Sequence, residues 1–168
     1  MMTTKKLVNH GLLLTIALIL SYIESLIPFG FGIPGIKLGL ANMAVVLCMY
    51  CMGTREALLL NIMRILLAGF MFGNLYSIIY SLAGGMLSFS VMWLAKRINI
   101  WSIGGVSVLG GVCHNIGQIL IAAFVVKTAG VFYYIPYLMI AGVLTGWLIG
   151  LITKLVIPYF ERIERKMG

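Results

Sequence analysis

The chain has 168 residues, of which 62% are hydrophobic and only 10% are charged, and its mean hydropathy is +1.10. A soluble domain of this length carries charge on about a quarter of its residues, so the composition excludes that class. The net charge of +8 does not indicate nucleic-acid binding, because most basic residues lie in short connections and at the two ends. The sequence therefore predicts an integral membrane protein with one domain, residues 1–168.

Apolar segments close to the length of about 20 residues that crosses a bilayer follow one another along the chain. Glycine, proline or charge ends them at "IPFGFGIPG", "MGTR", "FGN", "KRIN" and "KTAG". The predicted fold class is all-α, a six-helix multi-pass bundle in the cell membrane. The six transmembrane helices are expected at residues 7–27, 36–52, 55–72, 74–95, 100–126 and 131–157.

The basic residues predict the orientation of the bundle. If the N-terminus is cytoplasmic, only Lys37 and Lys127 fall outside, and Arg64 lies within a span. Cytoplasmic connections of membrane proteins carry an excess of Lys and Arg, so both termini are expected to be cytoplasmic. The nine cations that this orientation places inside are Lys5, Lys6, Arg55, Lys96, Arg97, Lys154, Arg162, Arg165 and Lys166.

Polar residues interrupt four of the predicted helices, and the predicted topology places them in the middle or outer part of the bilayer. Ionisable side chains at such depths are costly and usually mark a functional site. We predict that these residues line a substrate-binding cavity that faces outward. They are Glu24 at the end of helix 1, Lys37 and Asn42 in the first turns of helix 2, Asn61 and Arg64 in helix 3, and His114, Asn115 and Gln118 in helix 5.

The charge of this cluster predicts the charge of its ligand. Glu24 contributes −1 while Lys37 and Arg64 contribute +2, which leaves about +1 and favours an anionic solute. The guanidinium of Arg64 can hold a carboxylate or phosphate through two nitrogens, and Lys37 would guide the ligand in. A purely structural interpretation stays open, in which Glu24 and Arg64 form an ion pair, Lys37 reaches the outer headgroups, and the amides join helices.

Small residues predict where helices pack closely. Gly142, Gly146 and Gly150 repeat every four residues along helix 6, and Ala17 and Ser21 are four residues apart on helix 1. Such faces let helix backbones approach one another in membranes. We expect packing within the bundle, with contact to a partner subunit as the alternative.

The segments "LSYIESLIP", "PGIKLGLAN", "YSLAGG" and "GVSVLGGVCHNIGQ" together resemble the heptaprenyl diphosphate synthase component I family, also called the Gx transporter family. That family is similar to the S components of bacterial energy-coupling-factor transporters, six-helix proteins that capture a solute from outside. The resemblance implies, as a partner, a transmembrane coupling subunit with ATPases. The first helix lacks a clear alanine-rich docking motif, so that partner stays open.

The older family name implies prenyl-chain synthesis, which the residues do not support. Trans-prenyl synthases hold Mg²⁺ on aspartates, and this sequence contains no aspartate. It also contains no P-loop, and its two histidines form no convincing metal set. We therefore expect no enzyme activity, metal or cofactor, and expect a small-molecule ligand and membrane lipid, but no nucleic acid, as partners. The second hypothesis is a non-catalytic accessory subunit of prenyl diphosphate or quinone metabolism, or of associated membrane redox machinery.

Overall fold

The computed structural model describes residues 4–26 and 37–166, and within them it contains helices and no strands. A short 3₁₀ helix, Ala129–Tyr134, precedes the last α-helix. The all-helical class predicted from the sequence is therefore confirmed. The α-helices are α1 Thr4–Leu26, α2 Asn42–Cys51, α3 Thr54–Phe72, α4 Leu75–Ile98, α5 Ile103–Val126 and α6 Ile135–Lys166.

Four stretches of these helices are long and apolar enough to cross a membrane. They lie in α1, α4 and α5, and in the continuous stretch Ala129–Ile163 that includes most of α6. Helix α2 is apolar but has only 10 residues, and α3 carries Arg55, Glu56 and Arg64 within its 19 residues. Length and composition thus single out four of the six helices as membrane-spanning.

The second helix begins later than the predicted residue 36. Lys37 lies in a non-helical segment and not in the first turn of a helix, whereas Asn42 is the first residue of α2. The reason is Gly39, whose φ of +85° lies in the left-handed region and cannot be part of a right-handed helix. A turn follows, in which Gly39 O accepts from Asn42 N at 2.9 Å and Leu40 O from Met43 N at 3.1 Å.

The last helix begins at residue 135, not 131, and continues to Lys166 instead of ending at residue 157. Pro158 lies inside this helix and removes one helical hydrogen bond. Both Pro158 and Lys154, the residue whose carbonyl loses its donor, are exposed, so solvent or headgroups can satisfy that carbonyl. The other described helix ends fall within three residues of the predicted ones.

Side-chain caps determine where α4 and α5 begin. Asn74 Oδ1 accepts from Ser77 N at 2.9 Å, and Ser102 Oγ accepts from Gly105 N at 3.2 Å. Each cap satisfies a backbone N–H that the first turn of a helix leaves without a partner. The two helices consequently start at Leu75 and Ile103.

The glycine stripe of α6 packs against α5 of the same chain. A Cβ atom on Gly146 would lie 2.6 Å from Ser107 O, and one on Gly142 would lie 2.9 Å from Gly111 O. On Gly150 it would lie 2.6 Å from the Cα atom of Gly104. No larger residue fits at these positions without moving the two backbones apart. The remaining two predicted packing residues, Ala17 and Ser21, are also buried within the chain.

Contacts between helix ends show that successive helices run in opposite directions along the bundle. Lys6 Nζ lies 3.6 Å from Glu56 Oε1, which joins the starts of α1 and α3, and Lys96 Nζ donates to Met49 O, which joins the ends of α4 and α2. Gly104, at the start of α5, meets Gly150 at the midpoint of α6, so the rest of α6 continues past the start of α5. The starts of α1, α3 and α5 therefore share one end of the bundle, the basic end, with the ends of α2, α4 and α6.

Candidate functional site

Arg64 lies in the middle of α3 and is only 5% exposed. Its guanidinium donates to Asn61 Oδ1 from Nε at 3.2 Å and from Nη2 at 2.9 Å, and to Asn42 Oδ1 from Nη2 at 2.8 Å. A buried charge needs polar partners, and here they are neutral amide oxygens and not a carboxylate. The protein thus solvates this cation with neutral amides, while the carboxylate of Glu24 attracts it without bonding to it.

Helix α4 holds the two asparagines in place. Asn61 Nδ2 donates to Gly85 O at 3.1 Å, and Asn42 Nδ2 donates to Ser88 Oγ at 3.4 Å. The guanidinium orientation therefore depends on α2, α3 and α4 together. Ser88 was not predicted from the sequence, because one buried serine in an apolar helix carries no signal of its own.

Glu24, in the last turn of α1, is buried and receives backbone N–H groups. Its Oε1 atom accepts from Gly39 N and, at 3.4 Å, from Leu40 N. The purely structural interpretation of the sequence predicted an ion pair between Glu24 and Arg64. Within the described residues this ion pair does not form. The carboxylate instead holds the non-helical segment, residues 37–41, against the end of α1.

The non-helical segment also contacts α5. Lys37 N donates to Gln118 Oε1 at 3.3 Å, and Gly39 lies directly against the imidazole of His114. A Cβ atom on Gly39 would lie 3.0 Å from His114 Cδ2. Only a residue without a side chain permits this approach, so Gly39 serves both the left-handed turn and the contact with the ring.

His114 and Gln118 lie one turn apart on α5 and are fully buried. Within the described residues, the Nε2 atoms of His114 and Gln118 have no hydrogen-bond partner, while the backbone of Gly84 lies beside His114 Nδ1 and interacts with the ring. His114 Nε2 and Asn42 Nδ2 each lie 3.4 Å from the position that a Cβ on Gly39 would occupy. The ring therefore borders the asparagine that holds Arg64.

Asn115 faces a different neighbour. Its Nδ2 atom donates to Leu138 O at 2.7 Å, which joins α5 to α6. It follows His114 by one residue, and so points about 100° away around the helix. The structure brings the other seven predicted residues into one connected cluster, which we call the polar cluster: Glu24, Lys37, Asn42, Asn61, Arg64, His114 and Gln118.

The electrostatics of the polar cluster favour an anion. Lys37 is half-buried, and burial lowers the pKa of its ammonium, an effect that Glu24 opposes and Arg64 reinforces. With the three groups ionised, one negative charge faces two positive charges. Residues 4–26 and 37–166 contain no group of three or more His, Cys, Asp or Glu side chains that could hold a metal ion.

Apolar helices long enough to cross a membrane, with a charged cluster buried between them, define an α-helical membrane protein. The chain belongs to the heptaprenyl diphosphate synthase component I family, whose model matches residues 13–156. The match includes every residue of the polar cluster. No curated protein and no solved structure shows a significant match to the chain.

Proposed function

We propose that this protein is a membrane substrate-binding protein, similar to an S component, that takes up a small polar or amphipathic anionic solute from the outer face. The observation that carries the proposal is the environment of Arg64. Its described hydrogen bonds go to two neutral amides, while the nearby carboxylate of Glu24 receives backbone N–H groups. The cation is thus fixed in direction and left with its charge.

A buried cation such as Arg64 has an energetic cost that a bound anion would offset. Holding a charged residue deep in a membrane protein costs about 2.5–3.5 kcal/mol on insertion scales. In surroundings of low dielectric constant, an unpaired positive charge attracts an anion more strongly than it does in water. An anionic ligand would offset the cost, whereas a purely structural role would be served better by an ion pair.

The proposal includes six crossings and two cytoplasmic termini. Its support is the alternation of helix ends, since the starts of α1, α3 and α5 share the basic end with the ends of α2, α4 and α6. Cations accumulate on the cytoplasmic side of membrane proteins, so the basic end would face the cytoplasm. Glu24, at the opposite end of α1, would then lie near the outer face.

Uptake against a gradient requires a source of energy. The resemblance to S components suggests a transmembrane coupling subunit with ATPases as the partner. The outer surface of α6 is apolar and exposed along its length, which suits contact with lipid or with a membrane-embedded subunit. Its exposed side chains include Val143, Leu144, Trp147, Leu148, Leu151 and Leu155.

A second candidate function is favoured by the description of the family, which names one component of a synthase. In that case the protein would be a non-catalytic accessory subunit of prenyl diphosphate or quinone metabolism, or of membrane redox machinery. Co-purification of a prenyl synthase or redox subunit with the tagged chain, with no bound solute, would favour this function. Uptake that depends on one solute would favour the first.

Mass spectrometry of bound compounds tests the proposal directly. The full chain is purified in lipid nanodiscs, and the small molecules released on denaturation are compared with those from empty nanodiscs and from Arg64→Gln. We expect one or a few anionic compounds to be enriched with the wild-type chain and lost with Arg64→Gln. If the wild-type chain releases nothing beyond lipid, or releases the same anions as Arg64→Gln, the proposal is wrong.

A further inference from the structure

The buried nitrogens of His114 and Gln118 are the strongest unexplained feature of the polar cluster. His114 is 1% exposed and Gln118 is fully buried, yet neither His114 Nε2 nor Gln118 Nε2 has a hydrogen-bond partner within the described residues. Buried polar atoms in native proteins nearly always have a hydrogen-bond partner. The Nε2 atoms of two neighbouring side chains, one turn apart, lack such a partner in the described part of the chain, which indicates that a bound ligand supplies it.

The surroundings of the ring explain why the protein supplies no partner. Glycine flanks His114 on both sides: a Cβ on Gly84 of α4 would lie 3.0 Å from Nδ1, and one on Gly39 would lie 3.4 Å from Nε2. Neither glycine can offer a side-chain donor or acceptor, and the backbone of Gly84 interacts with the ring on the Nδ1 side, so Nε2 is the ring nitrogen left for a ligand. Gln118 uses its Oε1 to accept from Lys37 N, which leaves its two amide hydrogens.

The orientation of the Arg64 guanidinium places the contact for an anionic group beside His114 and Gln118. Its Nε and Nη2 atoms donate to Asn61 and Asn42, so the Nε–Nη2 edge, which a two-pronged contact with an anion can use, is occupied. Nη1 takes no part in the hydrogen bonds described. Asn42, which holds Nη2, borders the same point near Gly39 as His114 Nε2. The charged and uncharged groups are therefore neighbours.

We propose that His114 and Gln118 form an uncharged hydrogen-bonding subsite next to Arg64, so that the ligand carries both an anionic group and an uncharged polar group. This inference rests on the proposed function and adds the chemical class of the solute. With Nδ1–H directed at the Gly84 backbone, a neutral imidazole offers the acceptor Nε2, and the Gln118 amide adds two donors. An amide, a lactam or a nitrogen-containing aromatic ring matches that set.

The same reasoning excludes a prenyl diphosphate from this position. Its diphosphate could contact Arg64, but its apolar chain would cover His114 and Gln118 and leave their nitrogens without partners. Leaving a buried polar group unsatisfied is unfavourable, and a site built with such groups rejects ligands that cannot bond to them. The subsite therefore selects against an isoprenoid chain.

The test uses the full chain in lipid nanodiscs, and its probe is the pool of compounds that co-purifies from cells, with none added. Wild type is compared with Gln118→Met and His114→Phe, which remove the hydrogen-bonding groups at similar volume. Ser107→Ala is the matched control, because Ser107 is a buried residue of α5 whose hydroxyl also has no partner in the described part of the chain, but which packs against α6.

We expect the compound enriched with wild type to contain both an anionic group and an amide or nitrogen heterocycle. Its amount per protein should fall roughly tenfold in each variant, the loss of about one good hydrogen bond, and stay unchanged in Ser107→Ala. An enriched anion without an uncharged polar group, such as a prenyl diphosphate, would overturn the inference and leave the proposed function intact. Equal retention by wild type and a folded Gln118→Met or His114→Phe would do the same.

Two further outcomes concern the proposed function itself and the folding of the variants. If wild type releases no anionic compound, the proposed function fails and the inference with it. If both variants fail to fold, the structure of the wild-type compound decides alone, because the inference specifies both of its groups.

Discussion

The amide of Asn61 bonds in two directions at once. Its oxygen accepts from Nε and Nη2 of Arg64, and its nitrogen donates to Gly85 O on α4. Because Asn61 is fully buried, no water can replace these bonds without rearrangement. One neutral side chain thus links a buried cation to a neighbouring helix.

Replacing this amide should destabilise the protein. Asn61→Leu keeps the side-chain volume but removes two hydrogen bonds of a buried charge, each worth about 1.5–3 kcal/mol, so we expect the free energy of unfolding to fall by about 3–6 kcal/mol. Equilibrium unfolding in detergent measures the change. Asn61→Asp keeps the acceptor and should lose less stability. Unchanged stability in Asn61→Leu would mean that Arg64 does not depend on this amide.

Gly39 is constrained by its backbone and by its neighbour. Its φ is +85°, and an added Cβ would lie 3.0 Å from His114 Cδ2. We expect Gly39→Ala to lower the free energy of unfolding by about 1–2 kcal/mol, the cost of a left-handed residue with a Cβ atom. Gly11→Ala is the control, since nothing lies within 4 Å of its added Cβ. Equal unfolding midpoints for both variants would contradict the structure at Gly39.

At the level of single residues, the sequence predicts which polar groups meet but not how they bond. Depth along the predicted helices brings Glu24, Arg64, His114 and Gln118 to similar levels, and the structure joins them. The expected alternatives for Arg64 were an ion pair or an anion, whereas the structure gives it amides. The rotation of each helix about its axis decides this, and in spans that are apolar on most sides the periodicity of the sequence fixes that rotation poorly.

Among the elements, the helix ends that the sequence misplaces have local causes. The start of α2 depends on the left-handed φ of Gly39, and a glycine in a sequence does not reveal the sign of its φ. The end of α6 depends on the exposure of Pro158, which an unfolded sequence does not show. Helix α4, which Asn74 caps, starts within one residue of its predicted position, whereas α5, which Ser102 caps, starts three residues later than predicted.

The α5–α6 contact yields a prediction at the level of elements. A Cβ on Gly146 would lie 2.6 Å from Ser107 O and 2.7 Å from Val108 Cα, both of them backbone atoms that cannot move aside. Gly146→Ala should therefore separate the helices and lower the unfolding free energy by about 1–3 kcal/mol. Thermal unfolding in detergent measures this change.

The control for Gly146→Ala is Gly104→Ala, whose added Cβ would meet only Ser102 Oγ, at 3.7 Å. We expect that control to unfold at the wild-type temperature. If Gly146→Ala is as stable as the control but fails to associate with another subunit, the stripe serves a partner interface and not the bundle.

For the whole molecule, orientation in the membrane follows from the basic end. With the native cysteines replaced, a membrane-impermeant maleimide should label Phe31→Cys in intact cells, although residue 31 lies outside the described residues. It should label Ile100→Cys, in the exposed connection between α4 and α5, only after permeabilisation. The opposite labelling pattern would reverse the bundle and turn the polar cluster toward the cytoplasm.

The proposed site depends on the charge of Arg64. An outward-facing site for an anion needs a cation that the protein does not pair with a carboxylate. Arg64 has that property through its neutral partners Asn42 and Asn61. A lysine at this position would keep the charge, but its three donors radiate from one nitrogen and cannot reproduce the planar, spread geometry by which the guanidinium reaches both amides and a ligand. Arg55, exposed at the start of the same helix, offers a matched control.

The most direct measurement is the affinity of purified Arg64→Lys for the anion released by the wild-type chain, determined by isothermal titration alongside wild type and Arg55→Lys. We predict that Arg64→Lys still folds, with helical content like that of wild type but a lower unfolding midpoint because some bonds to Asn42 and Asn61 are lost, and that its Kd is at least tenfold higher, about 1.4 kcal/mol in binding free energy. Arg55→Lys should bind as wild type does. Equal Kd values for all three proteins would show that Arg64 is structural and that the proposed binding site is wrong.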